Sequence, residues 1–404
     1  MGTGDAGLRR FSNMQWYLAQ AQNRVHLAVA CSEAITPEDF GVIVMRVLAE
    51  APQLGWRIDL QDDGYYDCAP VEVARVARFD LAPPQGRRMP DFDALLAEPL
   101  PEGAPAFRAR CILAPDAVPG KVRAWVLFEA SHALTEGGDI GAILRGRGAV
   151  HDSRPVVDVP AGGLQRAARA LALPLLWALH LGASFAARRK AVGMRTVRLS
   201  LGRAEVAAAA RRLQVSQRAL LFGLVIGAVF GARASKRAHH IAYSSLPKAR
   251  ARLHDDTFLN VRMDEFKARL TGTPAADVQA TAAAIARRGP MPLGVQAWHN
   301  ALLGLHRRVH RLFPALYRHG FFDYSPYDMV VSLVPQVQPG NGWGPLAGAT
   351  CFAGSNTGAT PNCIYAVGER QITLSLWLPP DLAGRQSALV QAAADLGITA
   401  EVWD

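Results

Sequence analysis

Cysteine is scarce in this 404-residue chain, and the few present are poorly placed for bonding. Cys31, Cys68, Cys111, Cys351 and Cys363 are odd in number, lie far apart and form no CxxC. This argues against a disulfide framework or a cysteine-based zinc site and suits a reducing compartment. Charged residues make up only 19% against 50% hydrophobic, which excludes a disordered chain and a coiled-coil rod. The 36 glycines and 26 prolines follow no period, so collagen-like and low-complexity readings fail too. The N-terminal stretch MGTGDAGLRRFSNMQW has no apolar core of a secretory signal, and a cytoplasmic location is expected. What remains is a globular chain long enough for two subdomains, with residues 1–160 and 161–404 as the expected division.

Acidic residues are missing from one region in particular. Residues 1–160 hold 16 Lys and Arg against 21 Asp and Glu, residues 161–330 hold 26 against 8, and residues 331–404 hold 2 against 5. The middle of the chain therefore carries a net charge of +18. Such a block attracts phosphates, anionic lipid headgroups, acidic carrier proteins or nucleic acid. Nucleic acid is set aside, because the neighbouring aromatics Trp298, Phe313, Tyr317, Phe321 and Phe322 form no known RNA- or DNA-binding motif.

Element types alternate along the chain, as in a mixed α/β protein. Val25–Cys31 reads as a buried strand, and Thr36-Pro37-Glu38-Asp39 opens an amphipathic helix through Leu48 with an N-cap, an N1 proline and early acids. Strands are expected near Val71–Phe79, Ala106–Leu113 and Arg123–Glu129, and Gly148–Gly163 reads as the interdomain loop. Ala170–Ala187 is uncharged over 18 residues with arginines on both sides. Pro174, His180 and its alanine content favour a packed or interfacial helix over a membrane span. Ala219–Ala232 reads as a core helix. Strands then fall near His240–Ser245, Phe258–Met263, Met329–Val334 and Thr373–Trp377, with helices over Ala275–Arg288, Trp298–Leu316 and Asp381–Leu396.

The chemistry-bearing segment follows the strand Arg123–Glu129. It runs Ala130-Ser131-His132-Ala133-Leu134-Thr135-Glu136-Gly137-Gly138-Asp139 and leads into a short apolar helix. A histidine just past a strand can act as a general base near neutral pH. The carboxylate four residues on can fix the loop through a cation, and the glycine pair lets a substrate approach the backbone.

This segment resembles the HHxxxDG motif of the CoA-dependent acyltransferase superfamily, which includes peptide-synthetase condensation domains, wax ester synthase/diacylglycerol acyltransferases and plant-type acyltransferases. Weaker likenesses follow in the family's order at Val215–Leu221, Ile241–Leu246, Asn260-Val261-Arg262 and Ser332-Leu333-Val334-Pro335. Ser131 stands at the family's first histidine, Glu136 at its aspartate and Gln336 at a late glycine, and Ser216-Gln217-Arg218 lacks the usual Asn-Asp pair.

The resemblance implies two chloramphenicol-acetyltransferase-like subdomains meeting along a central tunnel. It implies acyl transfer from an acyl-CoA or phosphopantetheinyl carrier, as co-substrate, to a lipophilic alcohol or amine, with no bound cofactor and no metal. His132 would be the base. Gly137, Gly138 and Ser332 would serve the oxyanion or substrate, and Glu136 would pair with Arg250, or failing that Arg252 or Arg262. The apolar helices and basic middle favour a lipid acceptor and a peripheral position at an anionic membrane. The alternatives are condensation between carrier-bound intermediates, with an acyl carrier protein as partner, and a non-catalytic lipid or carrier binder.

Other signals read as structural. His306 and His310 have metal-ligand spacing but sit among arginines, so a solvated basic face is expected. His239-His240 reads as a surface patch, Asn341-Gly342-Trp343-Gly344 as a turn with Trp343 packed beneath, and Gly354–Gly358 as a flexible polar loop.

Overall fold

The computed structural model describes residues 8–403 except 62, 67–70, 82–89, 91, 99, 101–103, 114–121, 136, 147–155, 159–162, 187–192, 232–236, 246–249, 253–257, 260–261, 318–320, 323–324, 335–336 and 357–359. Two helix-backed sheets organise it. The first has five strands in the order Thr350–Asn356, Arg24–Cys31, Ala124–Ser131, Phe107–Leu113, Ala77–Leu81. Its last pair is parallel and the others are antiparallel. The second has seven strands, Arg262–Ala268, His239–Ser245, Met329–Val334, Asn362–Val367, Gln371–Leu378, Arg195–Gly202 and Ala400–Val402, in that spatial order. The α/β class read from the alternating elements is what the chain adopts.

Local chemistry explains the helices that back these sheets. Thr36 accepts from the Asp39 N–H while the Asp39 carboxylate accepts from the Thr36 N–H, so the expected start of the Pro37–Glu50 helix holds as a full capping box. Its apolar stripe, Phe40, Ile43, Val44 and Val47, covers one face of the five-stranded sheet together with Ile140, Ile143 and Leu144 of the Gly137–Leu144 helix. From Ala219 on, the Gln217–Phe230 helix is apolar all round and accordingly buried, packed between the seven-stranded sheet and the Pro274–Arg288 helix. Gly223 permits that contact, since a Cβ there would lie 2.5 Å from the Val278 Cα.

Several expected elements shift. Val71–Phe79 divides into a helical turn at Val73–Val76 and a strand at Ala77–Leu81. Phe258–Met263 is two strands, Phe258–Leu259 and Arg262–Ala268. The last helix breaks into Pro380–Ala383 and Gln386–Asp395. The long basic helix starts a turn early, as Leu293–Leu312, and ends in the 3-10 turn Pro314–Tyr317. Val156–Asp158, inside the expected interdomain loop, pairs in parallel with Arg250–Arg252.

The largest correction concerns Gly354–Gly358. Gly354, Ser355 and Asn356 are no loop but the end of the Thr350–Asn356 strand, which leaves the C-terminal half and completes the first sheet against Arg24–Cys31. Residues 357 and 358 lie outside the described residues. The Asn341–Leu346 turn behaves as expected, with Trp343 buried beneath it and the Arg46 guanidinium 4.0 Å over its ring.

Candidate active site

The strand that carries the histidine, Ala124–Ser131, is buried along its whole length, with Phe107–Leu113 on one side and Arg24–Cys31 on the other. Its apolar run fixes the direction in which the following residues leave the sheet. Backbone bonds then pin the exit. The Ser131 N–H donates to Ala106 O at 2.8 Å, His132 N–H to Asn23 O at 2.9 Å, and Leu134 N–H to Ser131 O at 3.1 Å. Ser131, buried, accepts from the Ala133 N–H on its hydroxyl at 3.3 Å. It therefore caps the turn, a local role that suits a short hydroxyl side chain.

His132 is half-buried, and its Nδ1 lies 2.9 Å from the Thr135 carbonyl oxygen. A carbonyl can only accept, so Nδ1 carries the hydrogen, and in the neutral ring Nε2 holds the lone pair. The tautomer needed for a general base at Nε2 is thus set by a backbone atom three residues away. The Thr135 hydroxyl donates to the Asp139 carboxylate at 3.1 Å, tying the turn to the start of the Gly137–Leu144 helix. Gly137 and Gly138 form the first residues of that helix, where N–H groups have no intrahelical acceptor. Glu136 lies outside the described residues, as do the side chains of Arg250, Arg252 and Arg262. The backbones of these arginines sit in the strands Arg250–Arg252 and Arg262–Ala268.

The turn is also tied to the second sheet. Asn23, whose carbonyl accepts from His132, receives on its side-chain oxygen the hydroxyl of Ser355 at 3.1 Å, and the Asn362 amide donates to Ser355 O at 3.1 Å. All three side chains are buried. Asn362 stands opposite Val330 on the Met329–Val334 strand, which carries half-buried Ser332 two residues on. Asn23, Thr135, Ser355 and Asn362 are not among the expected site residues. For Asn23, Ser355 and Asn362 the sequence signal is a polar residue at the end of an apolar strand, and Thr135 has none.

His26, Thr196, Gly354, Ser355, Asn362, Ser375 and Trp377 pack together beside this link, with no room between them for a water molecule. Among the described residues neither ring nitrogen of buried His26 has a hydrogen-bond partner, nor does the Ser375 hydroxyl. Burial, reinforced by the Arg198 and Arg24 guanidiniums, pushes the His26 imidazole well below 6.5. Two residues from Ser131 on the same strand, Glu129 is fully buried, with Arg24 at 2.5 Å and Arg108 at 2.5 and 2.9 Å. Burial pushes its carboxyl up while both guanidiniums pull against that shift.

Two histidine expectations are overturned. His306 is fully buried rather than solvated, because the Gly163–Ala186 helix covers it. Its Nε2 is 3.1 Å from His180 Nδ1 and its Nδ1 is 3.0 Å from the Tyr317 hydroxyl, which accepts from the Trp177 indole N–H at 3.1 Å. Burial lowers His306 to about 3 and His180 to about 4. His310 packs its ring against Trp16 and Tyr317. His239 is buried and stacked on Phe230, while His240 pairs with Glu265 at 3.0 Å. Among the described residues no group of three or more His, Cys, Asp or Glu is placed to hold a metal.

No family model matches the chain, and no curated protein sequence matches it. Solved structures do. A trichothecene 15-O-acetyltransferase from Fusarium sporotrichioides superposes with a TM-score of 0.61 at 11% identity, over 98% of this chain and 97% of that one. The first condensation domain of the CDA synthetase gives 0.58 at 14%, over 97% of each chain. The wax ester synthase/diacylglycerol acyltransferase of Marinobacter aquaeolei VT8 gives 0.56 at 13%, over 96% and 98%. Across essentially its whole length, then, this chain has the mixed α/β fold shared by condensation domains and these acyltransferases.

Proposed function

We propose that the protein is an acyltransferase. In this reading it moves an acyl group, of the fatty class, from a CoA or carrier-protein thioester to the hydroxyl of a lipophilic acceptor in a tunnel between its two subdomains. The observation that carries the reading is the hydrogen bond from His132 Nδ1 to the Thr135 carbonyl, which leaves Nε2 as the base. The acceptor hydroxyl attacks the thioester carbonyl carbon and gives its proton to Nε2. The tetrahedral intermediate collapses, the C–S bond breaks, and the departing thiolate takes that proton to leave as free thiol. No acyl-enzyme forms, because holding the two reactants in line lowers the barrier by itself. The N–H groups at Gly137 and Gly138 and the Ser332 hydroxyl are the proposed oxyanion donors. Glu136 is proposed to brace the loop through Arg250.

Free-thiol release from acyl-CoA, measured with a series of alcohols and amines, tests this. His132→Ala should lower the rate ~10²–10⁴-fold with an unchanged melting curve. Full activity in that variant would remove the assignment. Turnover with a carrier-bound donor alone would select condensation-type transfer, and binding of either donor without thiol release would leave a non-catalytic binder.

A further inference from the structure

We propose that the outer face of the Gly163–Ala186 helix is a docking surface for an anionic bilayer. A helix on the surface of a soluble protein turns polar residues outward. Here the outward positions Leu171, Pro174, Leu175, Ala178, Leu179 and Gly182 follow the i, i+3, i+4, i+7, i+8, i+11 spacing of a single stripe, and none is polar. The leucines are wide open, at 83%, 64% and 61% exposure for Leu171, Leu175 and Leu179. The opposite face is already used, since Trp177, Leu181 and Phe185 pack against Tyr317 and Phe321. From Leu171 on, the helix thus keeps an apolar outward stripe although its other side is already packed on the protein.

A neighbouring element also exposes apolar side chains. The Trp177 indole bonds the Tyr317 hydroxyl, which brings the end of the Leu293–Leu312 helix alongside. There Leu312 and Phe313 are 72% and 58% exposed. The apolar segment Leu171–Ala186 is too short to cross a membrane, about 24 Å at 1.5 Å per residue against a hydrocarbon core of about 30 Å. It is suited to lying in the interface.

Charge selects the occupant. Arg166 and Arg169 precede the stripe, Arg188, Arg189 and Lys190 follow it, and the sequence has no acidic residue between Asp158 and Glu205. Two copies, each with a middle segment of net charge +18, repel one another, whereas an anionic headgroup layer attracts that charge while the leucines enter the acyl boundary. This inference stands apart from the acyl-transfer reading, and its test requires no turnover.

The full chain is floated with vesicles of phosphatidylcholine alone and of phosphatidylcholine with phosphatidylglycerol. Wild type should float with the anionic vesicles at low salt and be released by high salt, because the Debye length falls from about 10 Å at 0.1 M to about 3 Å at 1 M. Leu171→Gln/Leu175→Gln/Leu179→Gln should lower partitioning at least ~10-fold, and because these side chains are exposed the melting curve should not move. Arg188→Gln/Arg189→Gln/Lys190→Gln should weaken binding to the anionic vesicles only. Wild type that stays in the soluble fraction with both vesicles would overturn the proposal. So would a dimer in sedimentation that the leucine variant splits, which would make the face a contact between copies.

Discussion

Lowering the pH from 7.5 to 5 should destabilise this protein by an amount that its buried histidines set. His180 and His306 share a hydrogen bond at 3.1 Å within an aromatic cluster, and burial lowers them to about 4 and about 3 from 6.5. At pH 5 both stay neutral in the folded state, while in the unfolded chain each takes up a proton. The unfolded state then binds more protons, so stability is complete above 6.5 and is lost as the pH falls below it. Each ring contributes RT ln(1 + 10^1.5), about 2 kcal/mol, so the pair contributes about 4 kcal/mol at pH 5. That is a large part of an ordinary folding free energy of about 5–15 kcal/mol. Buried His26 acts with the same sign. Urea melts at pH 7.5 and 5 measure the total, and a variant with His306→Phe should show a pH dependence smaller by about 2 kcal/mol, whatever its stability at pH 7.5. If wild type and that variant lose the same stability between the two pH values, His306 is not buried and neutral as described.

Two further substitutions probe the packing around the histidine turn. Glu129→Ala would leave largely buried Arg24 without its carboxylate and Arg108 with only the exposed Glu98, and should cost ~3–5 kcal/mol in a urea melt; a loss within that of an ordinary surface change would show the cluster to be solvated. At Gly354 an added Cβ would lie 2.0 Å from His26 Nε2, so Gly354→Ala should destabilise by ~1–3 kcal/mol. Adding His26→Ala should recover part of that loss, and a double variant no better than the sum of the singles would sink the contact.

Elements with local signals were legible in the sequence. Thr36, Pro37 and Asp39 dictate a helix start through atoms within four residues of one another. The uninterrupted apolar run from Ala219 to Phe230 can only be buried. His132 just past an apolar strand is likewise a local pattern, and it pointed to the turn that the structure builds. Partners distant in sequence decided the rest. Gly354-Ser355-Asn356 looks like a polar loop until the open edge of Arg24–Cys31 supplies its hydrogen-bond partners, more than 300 residues away. His306 reads as solvated among arginines because nothing near it in sequence announces the helix that covers it. Glu129 gives no sign of two guanidiniums waiting on neighbouring strands. The apolar character of Ala170–Ala187 is written in the sequence, but which of its faces meets Tyr317 and which stays bare depends on how the helix docks. Composition and periodicity determine what a segment can bury; only tertiary packing determines against what, because strand pairing and helix docking draw their energy from contacts that no local window contains.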